Sequence, residues 1–345
     1  MPTQPEKCGK RKRKQVVEGT LQHLSVAEMR KLLPHVKNVG RLARAKLCAL
    51  LNVEQGYIKY DGQNSCFVDT TITALLHRPK NTWVKRNILK KTPPYQDYPA
   101  LQKIAFDIRS AITELYNVIQ GGFKTTTCSQ LRTLFKNFDL LYAKTFPQYK
   151  PKTIEWTHSQ QEPADVANML SKIFDIPADI RYKFTSSTEK RVESHPFNHP
   201  VINFDVLMSN KKVYLKDYLP TYIDSFVKDD GSQYKKKMQI TKGKVVMVNI
   251  VRNFLNQSKI TTPVIPMETI RLSSQKSLEC VSIMIHHGSS PNGGHYTCMV
   301  KLVQDEKWYH YDDLDHKYVL VGSFEDILRW KKSYVLKNAV SFVYM

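Results

Sequence analysis

The sequence of residues 61–70 is Asp61-Gly62-Gln63-Asn64-Ser65-Cys66-Phe67-Val68-Asp69-Thr70. Glycine and asparagine before the cysteine are typical of a loop. The apolar residues after it recur with helical spacing, at Val68, Ile72, Leu75 and Leu76. Cys66 is therefore predicted at the N-terminus of a helix, where free N–H groups and the helix dipole favour the thiolate that attacks carbonyl carbon. A buried, inert cysteine at a helix start is the alternative.

A second segment joins two glycines to a histidine. It reads Gly293-Gly294-His295-Tyr296-Thr297, and Trp308-Tyr309-His310-Tyr311-Asp312-Asp313 follows it. Alternating apolar residues predict two strands, about one hairpin apart. In such a hairpin Asp312 can hold His295 in the orientation and tautomer of a general base. A purely structural histidine is the alternative that this segment alone leaves open.

Together the two segments resemble the ubiquitin-specific proteases. Residues 64–70 are similar to the cysteine box of that family, and closest to its cylindromatosis-type variant. Residues 283–297 and 308–313 resemble the histidine box, 245–254 the strand that ends in Arg-Phe, and 340–344 the closing strand. The order and spacing agree from about residue 57 to the end of the sequence. The resemblance implies an α+β, papain-like cysteine peptidase with thumb, palm and fingers and an antiparallel sheet.

The resemblance also implies a role for each matching residue. Cys66 is expected to be the nucleophile, His295 the general base, Asp312 the residue that orients it, and Asp313 a supporting acid. The implied reaction is hydrolysis of the isopeptide or peptide bond after the C-terminal glycine of ubiquitin or a ubiquitin-like modifier. The expected partners are that modifier and its conjugates. No cofactor and no metal are expected, since the sequence has no Cys-x-x-Cys pair.

One position departs from the family pattern. The family usually has an oxyanion-stabilising asparagine five residues before the cysteine, and this chain has Asp61 there. An ionised carboxylate cannot donate a hydrogen bond and repels developing negative charge. Asn64, Gln63 or the backbone N–H of Cys66 are the alternative donors.

Residues 159–166 resemble the family box whose acidic residues face the arginines of the ubiquitin tail. Glu162 and Asp165 occupy those positions, and carboxylate–guanidinium pairing supplies a physical reason. An acidic first turn of a helix, with no ligand, is the alternative. Gly293 and Gly294 are expected to line a channel that admits the diglycine end of the modifier and rejects side chains.

The remaining pattern supports the α+β class. Helices are predicted over 99–120, from about Thr127 to Leu141, and over about 163–174, with short strands after residue 180. Six cysteines in 345 residues show no disulfide-like clustering, which favours a reducing compartment. No apolar run is long enough for a membrane span, and the first residues have no secretory signal pattern.

The N-terminal part is strongly basic. The formal net charge is +21, and the first fifty residues carry twelve Lys or Arg against three Glu. Residues 1–23 are predicted to be a disordered basic tail, 24–52 a short helical extension weakly similar to SAP-type DNA-binding modules, and 53–345 the catalytic domain. The basic run at 10–14 indicates nuclear import, so the cytoplasm, the nucleus or both are expected. A plain helical hairpin is the alternative for 24–52.

Three functions are therefore compared. The first is an active deubiquitinase; the second is a ubiquitin-binding pseudoenzyme that kept the fold. The presence of a Cys, a His and an Asp at the triad positions disfavours the second. The third is nucleic-acid or chromatin binding through residues 1–51, which is compatible with the first.

Deletion of residues 1–51 tests the third function. Because lysine and arginine bind phosphates with release of counterions, we predict DNA binding by the full chain that weakens with salt and disappears after the deletion. Fluorescence anisotropy with labelled duplex DNA at several salt concentrations measures it. Equal binding by both chains would contradict the prediction.

Overall fold

The structure is a computed structural model. It describes residues 26–31, 39–41, 56–78, 82–120, 125–149, 156, 162–176, 178–185, 190–197, 201–206, 211–217, 223–227, 233–242, 246–252, 259–271, 277–290, 293–303, 306–315, 318–331 and 333–345. The predicted tail lies outside these ranges. Of the predicted extension, the described parts are helix α1 (Val26–Lys31) and a 3-10 turn (Val39–Arg41). The rest of the predicted extension, 24–52, lies outside the described residues.

Besides α1, five helices of the described residues precede most of the strands. They are α2 (Cys66–Leu76), α3 (Thr82–Val84, continued by a π-helical turn Lys85–Leu89), α4 (Pro99–Gln120), α5 (Ser129–Thr145) and α6 (Pro163–Phe174). The three helices predicted from periodicity, α4 to α6, are confirmed. Proline occupies the first position of α4 and α6, where no intrahelical donor is needed and its fixed φ suits the helix.

The described strands of the central sheet all lie in the second half of the chain. They are β5 (Val201–Asp205), β9 (Val246–Val251), β11 (Thr269–Arg271), β12 (Ser277–Ser290), β13 (Gly293–Lys301), β14 (Trp308–Tyr311), β15 (Val319–Gly322) and β16 (Ala339–Tyr344). Their order is β15-β14-β13-β12-β16-β9-β5, and β11 pairs with β12. The prediction of an antiparallel sheet needs one correction, because β5 and β9 at one edge pair in parallel. The sheet is therefore mixed.

A second sheet lies in the chain between α6 and β9. Its strands are β3 (Ala178–Thr185), β4 (Lys190–Phe197), β7 (Ile223–Val227) and β8 (Gln233–Lys242), in the antiparallel order β4-β3-β8-β7. Two short parallel pairs complete the strands of the described residues. They are β1 (Tyr57–Ile58) with β2 (Thr125–Thr126) and β6 (Val213–Tyr214) with β10 (Val264–Ile265). Helical thumb, central palm and separate fingers sheet give the predicted α+β, papain-like architecture.

The central sheet is buried on both faces. Met284 and Cys298 face the core shared with α2 and α4 to α6, whereas Ile283 and Met299 face a second core. That second core is covered by α7 (Phe324–Arg329) and α8 (Tyr334–Asn338), two short helices that the sequence pattern did not predict. Adjacent residues in a strand point to opposite faces, so continuously buried runs such as 280–285 are what a sheet covered on both sides requires.

Arg252 ties the end of β9 to the start of β16. The side chain is 4% exposed, and its guanidinium donates to four backbone carbonyls. The acceptors are those of Ala339, Ile260, Thr262 and Leu336, all at 2.8–2.9 Å. A buried guanidinium is tolerated because its donors are paired.

The described cysteines are free thiols, and all four are buried: Cys66, Cys128, Cys280 and Cys298. Among the described residues, no helix is both long and apolar enough to span a bilayer.

Candidate active site

The loop before α2 places Cys66 as the first residue of the helix. Gly62 and Asn64 both have positive φ, +84° and +52°. Glycine and asparagine are the residue types that adopt this conformation at least cost, which explains their presence in the loop. The carbonyl of Ser65 accepts the first N–H groups of the helix, those of Val68 and Asp69. The cysteine is therefore at the helix N-terminus, as predicted.

A buried arginine of α5 holds this loop in place. Arg132 donates to the Asp61 carboxylate and to the Gln63 carbonyl, both at 2.6 Å, and its side chain is 2% exposed. Asp61 also accepts the N–H of Gln63 at 3.1 Å. The carboxylate at the position of the family asparagine is thus paired with a positive charge. This changes the expectation that Asp61 stands as an uncompensated anion near the oxyanion.

Three hydrogen bonds hold the cysteine loop and helix against the strands that carry the histidine and the carboxylates. The Thr70 hydroxyl donates to the Tyr296 carbonyl at 3.2 Å. The Tyr60 N–H donates to the Asp313 carbonyl at 2.9 Å, and the Tyr311 hydroxyl to the Ile58 carbonyl at 2.7 Å. Segments that are more than two hundred residues apart in the chain therefore meet at the start of α2.

His295 and Asp312 form the hydrogen bond expected of a base and its orienting group. His295 lies near the start of β13, and Asp312 directly follows β14, the neighbouring strand. The distance from His295 Nε2 to Asp312 Oδ1 is 2.7 Å, and Asp312 also accepts the Leu314 N–H at 3.1 Å. Because Nε2 is engaged, Nδ1 is the nitrogen left for a proton from another group.

The charges in this pair stabilise each other. Burial acts to lower the pKa of His295, but the hydrogen bond to Asp312 and the charges of Asp313 and Asp312 outweigh it and raise that pKa. Burial acts to raise the pKa of Asp312, but hydrogen bonds from His295 and Leu314 outweigh it and lower that pKa. The pair therefore favours an imidazolium next to a carboxylate.

The Cys66 thiol lies close to β13 but does not favour ionisation at rest. Its sulfur is within hydrogen-bonding reach of the Tyr296 backbone, directly after His295. Burial raises the pKa of Cys66 to about 12, and the nearby carboxylates of Asp313 and Asp69 act in the same direction. The backbone of Phe67, at the helix start, lowers it as expected from the sequence, but burial is the larger effect. A proton acceptor is needed to make the thiolate.

Asp313 is the more deeply buried of the two consecutive carboxyls. Its side chain is fully enclosed, and Oδ1 is 3.4 Å from His295 Nε2. His295, Asp312 and Asp313 offer ligand atoms that all lie within 4.8 Å of one another, a set that a divalent cation could use. The 2.7 Å hydrogen bond between His295 and Asp312 already accounts for this arrangement.

The two glycines of the histidine box have different surroundings. A Cβ on Gly293 would meet nothing within 4 Å, so this position is open. Gly294 has φ +149°, and a Cβ there would lie 2.5 Å from His286 Nε2 and from the His287 carbonyl oxygen. Gly294 is therefore required by the hairpin itself, a reason different from the predicted passage of a diglycine. Both glycines are exposed.

The acidic residues of the 159–166 box lie at the start of α6. The Asp165 carboxylate accepts the Glu162 N–H at 3.4 Å, a capping contact that the alternative interpretation anticipated. Burial raises the pKa of Tyr296, and the charges of Glu162, Cys66 and Asp165 raise it further. The phenol of Tyr296 is therefore close to both the thiol and the acidic helix start, so the structure brings the two regions together.

Gln63 and Asn64, the suggested oxyanion donors, are exposed and lie three and two residues before Cys66. The Asn64 N–H donates to the Tyr60 hydroxyl at 3.1 Å.

A sequence profile of the ubiquitin carboxyl-terminal hydrolases matches residues 60–337, which is most of the chain. The chain belongs to this family. The match begins just before the cysteine loop and includes Cys66, His295 and Asp312. It agrees with the resemblance to ubiquitin-specific proteases and with the papain-like fold. No curated protein sequence matches the chain.

Three residues near the site of this family member were not predicted to matter. Arg132 clasps the cysteine loop, Asp69 accepts a hydrogen bond from Ser65 Oγ at 2.5 Å, and His286 packs under Gly294. A helical arginine or a histidine before a turn is common in surface positions, so only the burial identifies them. Asp69 lies inside the cysteine box, and a charged residue on an otherwise uncharged helix was the available signal.

The free energy of unfolding tests the ion pair between Arg132 and Asp61. We expect Arg132→Met to lower the free energy of unfolding by about 3 kcal/mol, because the Asp61 carboxylate is left buried without its partner. Adding Asp61→Asn should recover at least about 1 kcal/mol of this loss. Chemical denaturation measures both, and Lys136→Met, an exposed position on α5, is the control. A double variant no more stable than Arg132→Met would contradict a direct pairing.

Proposed function

We propose that the chain is an active thiol-dependent deubiquitinase, which hydrolyses the bond after the C-terminal glycine of ubiquitin or a ubiquitin-like modifier. The observation that carries the proposal is the 2.7 Å hydrogen bond between His295 and Asp312, beside a cysteine at a helix start. The family match supplies the reaction class and the kind of substrate. A pseudoenzyme has no need to keep a buried thiol, a hydrogen-bonded imidazole–carboxylate pair and their supporting contacts together.

The proposed reaction begins with a neutral thiol. His295 Nδ1 takes the proton of Cys66, and the resulting thiolate attacks the carbonyl carbon of the terminal glycine. The amine of the attached lysine leaves with the proton from His295, and a thioester remains on Cys66. His295 then takes a proton from water, the hydroxide attacks the thioester, and the thiol is restored with release of the modifier.

Asp312 has two contributions in this scheme. Its hydrogen bond holds the imidazole with Nδ1 turned away from the carboxylate, and its charge stabilises the imidazolium that forms when the thiol is deprotonated. The backbone N–H of Cys66 and the side chains of Asn64 and Gln63 are the proposed donors to the oxyanion. The clasp on Asp61 supports this assignment, since it draws that carboxylate toward Arg132.

Removal of the nucleophile tests the proposed activity. We expect wild-type chain to cleave a ubiquitin–amide reporter and Cys66→Ala to lose about a thousandfold or more of kcat. Cys280→Ala, which removes another buried thiol in the second core, is the matched control and should cleave as wild type does. Ubiquitin carrying a C-terminal electrophile should form an adduct at Cys66. Equal inertness of wild type and Cys66→Ala, with ubiquitin binding retained, would favour the pseudoenzyme.

The acidic start of α6 is the proposed binding site for the basic tail of the modifier. Glu162 is exposed, and Glu162 and Asp165 both act on Tyr296, next to the thiol. A peptide whose last glycine reaches Cys66 therefore places its preceding residues near these carboxylates. Gly293, with open space at its Cβ position, and Gly294 are proposed to border the path of the diglycine.

Charge removal at Glu162 tests this binding role. Glu162→Gln leaves the capping contact of Asp165 in place, so we expect KM for the ubiquitin reporter to rise about fivefold with kcat nearly unchanged. The difference should shrink as salt is added, because exposed charges are screened. Glu325→Gln, in the exposed first turn of α7, is the control. An unchanged KM at low salt would leave Glu162 with only a structural role.

A further inference from the structure

We propose that the buried carboxyl groups of Asp69 and Asp313 share one proton, and that this pair regulates the protonation of His295, which makes Asp69 a positioning residue that acts through Asp313. The effect on catalysis rests on the proposed function, whereas the shared proton does not. Asp69 of this pair lies on α2, and Asp313 lies next to His295.

The geometry leaves the two carboxyls with too few donors for two charges. Asp69 and the Asp313 side chain are fully enclosed. Ser65 Oγ donates to Asp69 Oδ2 at 2.5 Å, and the Cys128 thiol also donates to Asp69. Among the described residues, no N–H or O–H group donates a hydrogen bond to Asp69 Oδ1 or to either carboxylate oxygen of Asp313. Two unpaired carboxylates in such a place are costly, and a proton on one of them provides the missing donor.

The two side chains are within hydrogen-bonding distance of each other, so a single proton satisfies both. Burial raises the pKa of both groups, and the charge of Asp69 adds to the rise at Asp313. Asp69 also accepts hydrogen bonds from the Ser65 hydroxyl and the Cys128 thiol, whereas Asp313 accepts none from a hydroxyl or thiol in the described part of the chain. In the resting site the negative charge therefore belongs mainly to Asp69, with the proton on Asp313.

Protonation of His295 changes this balance. Asp313 Oδ1 is 3.4 Å from Nε2, so an imidazolium stabilises a charge on Asp313 more than one on Asp69. When His295 takes the thiol proton, negative charge can move toward it by transfer of the shared proton to Asp69. The position of the shared proton thus depends on whether His295 is protonated. The two carboxyl groups titrate as a coupled pair.

Other ionisable groups surround the pair. Those that act on or with Asp313 are Cys66, Cys298, His295, Asp312, Tyr57 and Tyr311. Those that act on or with Asp69 are Asp61, Cys66, Cys128, His295 and Tyr311. The cysteines and tyrosines whose pKa burial raises are neutral at neutral pH, and Asp61 is paired with Arg132. The charge near His295 is therefore determined mainly by the Asp69–Asp313 pair, by Asp312 and by His295 itself.

Two isosteric substitutions have opposite expected effects. In Asp69→Asn the amide donates to Asp313, which then carries a full charge at neutral pH, so the acidic limb of the kcat/KM profile should move up by about 0.5–1 pH unit. In Asp313→Asn that charge is removed, and the limb should move down by a similar amount. Asp315→Asn, at an exposed position two residues later, is the control and should not move it. Shifts of the same sign, or none, would overturn the regulatory role.

The shared proton can be measured in the wild-type chain without any variant. Carbon-13 NMR of aspartate carboxyl groups should show one buried carboxyl that stays protonated above about pH 5.5, far outside the usual aspartate range. The signal should be lost in Asp69→Asn. If every aspartate carboxyl group finishes titrating below about pH 5, the proposal of a shared proton is wrong. If the wild type is inert toward ubiquitin reporters, the proposed function fails, but the NMR titration still decides whether the proton is shared.

Discussion

Complete burial of the helix Cys66–Leu76 is the constraint on which the site depends. All eleven residues are buried, between the central sheet and the other helices of the thumb. A helix enclosed on all sides has no solvent to satisfy its polar groups, so each must find a partner inside the protein. Thr71 bonds back to the Phe67 carbonyl, and Thr70 reaches across to β13. The same contacts that satisfy the helix bring its first residue to the strand of His295.

Burial also explains why the thiol is protonated at rest. The N-terminus of a helix favours an anion, but removal of the sulfur from water disfavours one more strongly, and nearby carboxylates add to this. In the proposed reaction, ionisation of the thiol is therefore coupled to the arrival of its proton on His295, whose positive charge Asp312 stabilises. At rest the reactive thiolate is therefore a minor species.

Four aspartates close to one active site would repel each other if all were equivalent. The structure gives three of them a different partner each. Asp61 is paired with Arg132, Asp312 with His295, and Asp69 with Ser65 and Cys128. Asp313, with none of these, is the one that keeps a proton in our proposal. Different local donors thus give identical side chains different proposed roles. Asp61 forms an ion pair, Asp312 orients His295, and Asp69 and Asp313 share a proton.

The sequence by itself determined the fold class, the three long helices and most strands of the palm, and it named the residues of the proposed triad. These depend on local periodicity, turn residues and a long ordered motif, all of which are present in the linear chain. Only the tertiary structure decided that Arg132 neutralises Asp61, that Gly294 makes room for His286, and that Asp69 meets Asp313. The parallel edge pair of β5 and β9 belongs to the same group. The physical reason is that partners of buried charges are chosen by three-dimensional proximity between distant segments, which residue spacing along the chain does not encode.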